Sequence, residues 1–473
     1  MTTSNKPTVL IVGAGLGGLL LGALLEKSGV PYTIFERATV VKPLGSGMAV
    51  GPTLLPVFIQ LGIYDEFLTI SKFLSHAGAY KESLEPYKPS DYRPLEEFGG
   101  YGQHIVARPR LYSLMQKQVP AHKIHFGKRV LNVTEEDDKV IVHTADNGLH
   151  VGDIVVGADG AYSAVRQRMY EKLKAQDKLP KGDQEELPFS CTCLVGQTKA
   201  LDPEKYPVLK EPTCQFPTVL GDNKPFSWSI MTTADSTLCW SVIHHLDRVT
   251  SKAAMDQRFR SNENAEWGAH PAQTMCDETR NFPIPIGNEL TTLGDLYDLT
   301  PKNFISKVML EEKVFSTWHH GRIVLMGDAC HKLHPAGGHG AVTAMHDAIS
   351  LANLIYAMPA TTAPEVTRIF EEYQAERLPA VMDSFKNSQL VSKFMEKGII
   401  GAIVLFILTH MPFWLWRMTL SKTVLFRPQI GYLPPIPLRG TVVPIVSPSE
   451  QKARGIYEKQ RREQQQQQTP TPI

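Results

Sequence analysis

The sequence predicts an α/β protein. A parallel, helix-flanked sheet is interrupted by an α+β insertion with a mixed sheet, and a helical, apolar extension follows at the C-terminus. Three observations predict it. A strand, glycine turn, helix and second strand open the chain in "VLIVGAGLGGLLLGALLEKSG" and "YTIFER". Two later strands, in "DIVVGADG" and "GRIVLMGDA", each run into an acidic turn and then a helix. Between them, from 187 to about 317, short alternating runs such as "FSWSIMTTADSTLCWSVIHH" replace that pattern.

The opening stretch is apolar enough to raise a signal peptide or membrane anchor as an alternative. Glycines at 13, 15, 17, 18 and 22 interrupt it, which favours a turn over a continuous anchor. It reads as strand 8–12, glycine turn 13–18 and helix 16–28, stopped at Gly29, with Pro31 beyond. Gly13, Gly15 and Gly18 form G-x-G-x-x-G, and Glu36 follows 18 positions later at the end of the second strand. Each part has a mechanical reason. Gly13 permits the tight turn, Gly15 lets backbone approach a pyrophosphate, and Gly18 lets the helix pack on the sheet. The helix N-terminus offers unpaired N–H groups to phosphates, and Glu36 can accept from a ribose. That carboxylate stands where a 2′-phosphate would sit, which argues against tightly bound NADP and leaves NAD and FAD.

The 473 residues are too many for one small core, so two or three domains are expected. Lys plus Arg is 49 against 48 Asp plus Glu, which gives no electrostatic reason to expect a nucleic-acid partner. The six cysteines, Cys191, Cys193, Cys214, Cys239, Cys276 and Cys330, form no C-x-x-C pair and are sparse for a disulfide framework. A reducing intracellular compartment is the simpler expectation. No metal-ligand spacing appears, and no G-x-S-x-G elbow.

The second stretch, "DIVVGADGAYSAVRQ", places Asp159 and Gly160 after a strand. The third, "GRIVLMGDACHKLHPAGGHGAVTAMHDAISLANLI", runs from a strand at 322–326 through Gly327, Asp328, Ala329, His331, Pro335, Gly338, Gly340 and Ala341 into a long helix carrying Asp347. Read alone, Asp159 and Asp328 could equally be plain helix caps. Together with the fingerprint, the three motifs resemble those of group A flavoprotein monooxygenases, the p-hydroxybenzoate hydroxylase-like family. The resemblance covers roughly residues 8 to 390. It implies a Rossmann-like FAD-binding domain whose inserted sheet covers the flavin. It also implies that Asp328 bonds the FAD ribityl chain, that the helix beginning at Gly340 and Ala341 faces the flavin N1–C2 edge, and that Asp159 serves FAD and NAD(P)H together. Arg108, in "ARPRLYSLM", matches the family's cofactor-facing arginine, and Ser46 and Gly47, in "PLGSGMAV", match its mobile flavin loop. Departures are Arg110 where an acid is usual, His339 in place of Gln and His346 in place of Glu. His331 reads as structural or catalytic with equal ease.

The expected divisions are an FAD-binding domain from 1–185 with a substrate-side excursion near 76–100, and a substrate sheet at 186–317. A second FAD-binding part at 318–395, an apolar and Pro-rich extension at 396–460 and a disordered polar tail at 461–473 complete them. On the substrate sheet, Trp228, Trp240 and His244 are candidate pocket residues, with ordinary core as the alternative for each. No Tyr–Arg pair suited to activating a phenol stands out.

"GIIGAIVLFILTHMPFWLWRM", residues 398–418, is almost wholly apolar. It is near the ~20 residues of a spanning helix, but His410 and Pro412 interrupt it. The alternatives are a membrane contact, spanning or lying in the interface, and a helix buried on the flavin domain. In the first case, removing everything after about residue 395 would leave FAD bound.

The apolar C-terminal segment, with the "HK" at 331–332, resembles the fungal secondary-metabolism members of the family, including terpenoid epoxidases. The resemblance then implies that NAD(P)H, a transient co-substrate, reduces FAD, and that O2 forms a C4a-hydroperoxide. That species would hydroxylate or epoxidise a small apolar substrate, terpenoid or aromatic. No catalytic side chain is singled out. A halogenase or reductase of the same fold is one rival, although the only W-x-W, at 414–416, continues Arg-Met. A membrane-associated flavin carrier without turnover is the other.

Overall fold

The computed structural model describes residues 6–41, 46–222, 224–246, 266–267, 269–334, 338–395 and 399–468. Pro335 of the third motif and the last five residues lie outside them. The first sheet has six strands in the order His319–His320, Ile323–Leu325, Ile154–Gly157, Val9–Val12, Tyr32–Phe35, Ile124–His125. All neighbours are parallel except the His319–His320 edge. Its central strands are buried on both faces, which is why they read as unbroken Val/Ile runs rather than alternations. The fingerprint helix spans Leu16–Ser28 and ends on Gly29 at φ +66°, within a residue of the reading from sequence. It packs against the long helix Gly340–Tyr356. The main core forms around these elements.

The second sheet has eight strands in the order Glu266–Trp267, Ser306–Glu311, Phe189–Gln197, Leu238–His245, Phe226–Thr232, Pro217–Leu220, His76–Lys81, Ser90–Asp91. It is mixed: Pro217–Leu220 runs parallel to His76–Lys81, and its other pairings are antiparallel. The excursion expected near 76–100 therefore supplies two strands to a sheet built mainly from residues beyond 188. Helices Ala269–Thr279 and Leu293–Asp298 accompany it, and a separate core including Trp228, Trp240, Phe282 and Leu296 fills the space between.

The C-terminal region corrects two expectations. Residues 398–418 do not form one helix. Ile399–His410 and Phe413–Thr423 are separate, broken at Met411–Pro412, with Pro412 as the cap of the second. Proline lacks the N–H an uninterrupted helix needs. The first helix has 12 residues, about 18 Å at 1.5 Å each, against a hydrocarbon core of ~30 Å. Among the described residues no helix is long and apolar enough to cross a membrane, so the spanning reading falls. The polar tail is helical, not coil, through Gln468, as part of Pro448–Gln468. That helix packs on Gly340–Tyr356 and Ala363–Met395.

The segment between is bolted to the flavin-side core. Tyr432 donates to the Leu24 carbonyl at 3.0 Å, and Gln60 brackets Ile430 from both sides. Asn353 holds Gln429 and Gly431, while Glu376 accepts from Ser447 and Ser449. Ile430 and Ala453 are fully buried. Truncation after 395 therefore strips the main core, whatever the apolar helices touch.

Candidate functional site

A cavity of about 3090 Å3 lies between the two sheets. It exceeds the roughly 300–1,000 Å3 of a single small-ligand site, so cofactor and substrate can share it. One wall is made by the C-terminal ends of the parallel strands: Ala14–Gly18, Ala158–Tyr162 and Met326–Asp328. Ligands of open α/β sheets sit at this edge.

The three fingerprint glycines do different work. A Cβ on Gly13, at φ +108°, would lie 2.3 Å from the Ala158 oxygen, and one on Gly18 would lie 2.1 Å from the Gly13 oxygen. Both are packing requirements. A Cβ on Gly15 would meet nothing within 4 Å. Gly15 caps the Leu16–Ser28 helix without a side-chain bond, and no acid occupies the first turn. Its N–H groups are therefore open to an anion in the cavity. Glu36 lines the same wall. Its Oε2 accepts from Ala14 N and its Oε1 from Ala38 N, both at 2.9 Å. The carboxylate props the turn while retaining lone pairs for a ribose.

The other expected cofactor residues converge on this cavity. Ser46 receives the Arg108 N–H at its carbonyl, and its buried hydroxyl has no partner. A Cβ on the adjacent Gly47 would press on Met231 of the substrate sheet, 2.9 Å away. Arg108 opens helix Arg108–Gln116 and lines the cavity. Arg110, the departure in this motif, pairs bidentately with Asp235 at 2.7 and 2.9 Å, tying that helix to the turn between two substrate-sheet strands. Asp159 divides its labour. Oδ2 accepts from Ala164 and Val165 N–H, as a cap would, while the buried Oδ1 has no partner. Burial pushes its carboxyl up, against bonds from Ser163 and the helix N–H groups.

Asp328 pairs with Lys332 at 2.5 Å, a partner the sequence reading missed. Burial alone would raise the Asp328 carboxyl, but the Lys332 ammonium outweighs it and holds the group low. The i,i+4 spacing inside "DACHK" was the available signal. Gly340 and Ala341 start the long helix, capped by His339 without a side-chain bond, and their end faces the cavity. Two helix N-termini, the open Gly15 and the unpartnered Ser46 hydroxyl and Asp159 oxygen fit an anionic dinucleotide such as FAD.

His331 is structural. Its Nε2 meets Asp347 Oδ2 at 2.6 Å, and both residues are fully buried. Asp347 also accepts from Gly327 N at 2.9 Å and Arg377 Nε at 2.8 Å. Burial raises the Asp347 carboxyl, but His331 and Arg377 hold it well below its ordinary range. The third motif is thus a clamp joining the Asp328 turn to the long helix. Cys330, His331 and Asp347 offer donor atoms within 4.8 Å of one another, but the Arg377 guanidinium already neutralises the carboxylate a metal would need. His346, a second departure in this motif, meets the Thr53 carbonyl, and burial pushes its imidazole down to about 3.

Of the three substrate candidates, Trp228 lines the cavity, while Trp240 and His244 do not. Adjacent strands pair Ser229 with Ser241 and Met231 with Cys239, whereas Trp228 pairs with Val242 and Trp240 with Ile230. Side chains alternate along a strand, so the two sets point oppositely. Ser229, Met231, Ser241, Ile243, Cys193 and Val195 line the cavity. Trp240 is fully buried, donates to Thr300 and rests on Tyr297. His244 stacks on Phe226 on the same outer face. Trp228 is 1% exposed, lies against Phe282 and donates to the Pro283 carbonyl. A residue with no sequence signal, Glu311, lines the cavity at the end of its strand. Burial pushes its carboxyl up to about 7; Lys332 opposes this and Asp328 adds to it.

Fold and site define a flavoprotein in which a dinucleotide-binding sheet faces a substrate sheet. Residues 6–184 and 228–388 match the family described as "FAD binding domain", and the chain belongs to it. FAD-dependent monooxygenase paxM of Penicillium paxilli is 27% identical over 412 residues, 84% of this chain and 80% of that protein. FAD-dependent monooxygenase atmM of Aspergillus flavus is 24% identical over 454 residues, 92% and 88% respectively. Among solved structures, Klebsiella pneumoniae HpxO complexed with FAD and uric acid aligns with a TM-score of 0.69 at 19% identity, covering 90% of this chain and 98% of that one. CtdE in complex with FAD and a substrate aligns at 0.65 and 14%, covering 89% and 100%. The chain is an FAD-dependent monooxygenase.

Proposed function

We propose that the chain uses NAD(P)H and O2 to place one oxygen atom on a small apolar molecule, terpenoid or aromatic, by hydroxylation or epoxidation. The observation that carries this reading is the cavity face of the substrate sheet. It presents thiol, thioether and aliphatic surface with a hydrogen-bonded Ser229–Ser241 pair at 2.8 Å, and with Thr218, Ser227 and Glu311 as further polar points, opposite two helix N-termini. Such a wall suits an apolar body with one hydroxyl or carbonyl to orient.

Bound FAD supplies the redox and oxygen chemistry. In this reading the residues hold and shield it. The N–H groups following Gly15 take the pyrophosphate, Glu36 the adenosine ribose, and Asp328 the ribityl chain with Lys332 fixing its rotamer. The free Asp159 oxygen and Ser46 hydroxyl offer further polar contacts. Gly340 and Ala341 would offer N–H groups to the ring, where a helix N-terminus would favour negative charge. Arg108 adds positive charge nearby. The apolar sheet face excludes water from the oxygen-transfer site. Six buried cysteines outside any disulfide support a reducing, intracellular setting.

The test supplies yellow, purified protein with NADPH or NADH in air and a panel of lipophilic terpenoids and phenols. A substrate should accelerate nicotinamide oxidation and emerge carrying one atom from labelled O2. Unchanged oxidation across the panel, with all oxygen recovered as hydrogen peroxide, would overturn the apolar-substrate reading.

A further inference from the structure

The apolar helices Ile399–His410 and Phe413–Thr423 are neither a membrane span nor a buried core element. Trp416 docks inward, donating to the Asp91 carbonyl at 2.6 Å and packing edge-on against Tyr92. Leu420 and Val424 join Leu95 and Phe98 in a small core. The outer side is open. Trp414 is 67% exposed and Phe406 63%, with Ile403, Ile407, Phe413 and Met418 also exposed. Monomeric soluble proteins rarely expose large apolar patches, and these six exposed side chains all fall within residues 403–418.

Charge indicates what covers it. Between Asp383 and Glu450 the only acid in the sequence is Glu396, against Lys386, Lys393, Lys397, Arg417, Lys422, Arg427 and Arg439, of which Arg417 is paired with Glu97 and Arg427 is buried. Lys88 reaches the helix break at the Met411 carbonyl, and Lys386 and Lys422 are exposed. A second copy of this face would bring like charges together. An anionic lipid surface would instead take both the apolar side chains and the cations, with Trp414 at headgroup depth. The same two helices and the break between them also wall the cavity, through Thr409, Met411, Phe413, Trp416, Thr419 and Leu420.

We propose that this helix pair rests in the headgroup layer of an anionic membrane and forms a partition between the lipid and the substrate cavity. The partition's use for lipophilic substrate rests on the reading above. The docking does not, and its test involves no turnover.

The full-length, FAD-loaded protein is sedimented with vesicles of phosphatidylcholine alone or with phosphatidylserine. The expected result is binding to the anionic vesicles, at least tenfold weaker on neutral ones and reversed by high salt. Phe406→Glu with Trp414→Glu should weaken binding at least tenfold, and Lys386→Glu with Lys422→Glu should weaken it severalfold. Retained flavin colour shows that each variant is folded. Failure of the wild type to bind anionic vesicles, or undiminished binding of the folded Phe406/Trp414 variant, overturns the proposal. So does a concentration-dependent dimer, in sedimentation velocity, that the same variant abolishes, which assigns the patch to a second copy.

Discussion

Replacing Asp347 with Asn tests the clamp at the centre of the third motif. The change keeps the shape and leaves a carbonyl for the Gly327 N–H, but it removes the charge between His331 and Arg377. Arg377 is 1% exposed and would lose the Asp347 carboxylate, its partner at 2.8 Å. Its remaining support is the Thr343 carbonyl and the face of Phe426, 4.9 Å away. Breaking a buried pair from one side costs about 3–5 kcal/mol, a large part of a typical stability of about 5–15 kcal/mol. Arg377→Met should cost somewhat less, because the carboxylate keeps His331 and the Gly327 N–H. The double variant should cost less than the sum by at least about 1.5 kcal/mol, because no unpaired ion remains. Urea unfolding followed by tryptophan fluorescence and by flavin release measures all three. The sign against pH follows. The Asp347 carboxyl lies below its ordinary 3.8 in the fold, so its contribution is present above that pH and fades as pH falls further. An Asp347→Asn cost under about 1 kcal/mol, or strictly additive costs, would refute the clamp.

Gly15→Ala should fold but lose FAD affinity, because its Cβ enters open cavity, whereas Gly18→Ala should fail to fold, its Cβ meeting backbone at 2.1 Å. Circular dichroism alongside bound-flavin absorbance separates the two outcomes, and normal FAD retention by Gly15→Ala would remove that glycine from the site. Glu36→Ala should release FAD and loosen the Ala14 turn. Two charge-assisted bonds at roughly 1.5–3 kcal/mol each are at stake, and full yellow occupancy would contradict this. Glu311 keeps its proton more tightly folded, near 7, than its ordinary 4.5, so stability should fall as pH rises through that window, by at most roughly 3 kcal/mol. Glu311→Gln should flatten the melting-temperature slope between pH 5 and 8, and an unchanged slope would exclude Glu311 as its source. Met231→Trp, on the cavity face, should block substrate-stimulated NAD(P)H oxidation while leaving FAD bound, and Trp240→Phe should leave that oxidation intact.

Legibility from sequence followed the range of the interactions involved. The opening strand, turn and helix were readable almost to the residue, because glycine geometry and a two-sided buried strand leave local marks. Arg108, Asp159 and Asp328 were readable by motif. The partners that define their states were legible only where they lie close by, as Lys332 does. Arg377 lies 30 residues beyond Asp347, and nothing local marks it. Trp240 and His244 were taken for pocket residues because the period of two says which residues share a face, not which face meets the cavity. Which side holds the cavity depends on helices near 269–298 covering the other. The 398–418 stretch looked continuous because composition registers apolarity more readily than the single missing N–H of Pro412.

The bond from Tyr432 to the Leu24 carbonyl joins residues 408 positions apart. The parallel sheet likewise takes neighbouring strands from 9–12, 154–157 and 323–325. During synthesis the first strand and helix therefore leave the ribosome long before the surfaces that complete them. At ~5–20 residues per second, they wait roughly 20–80 seconds for residue 432. Through that interval the nascent chain exposes the apolar sides of its opening helix, and the dinucleotide groove lacks its third strand. Yield in a cell should then depend on chaperone capacity and on translation speed over the last hundred codons, even for variants whose finished fold is unimpaired.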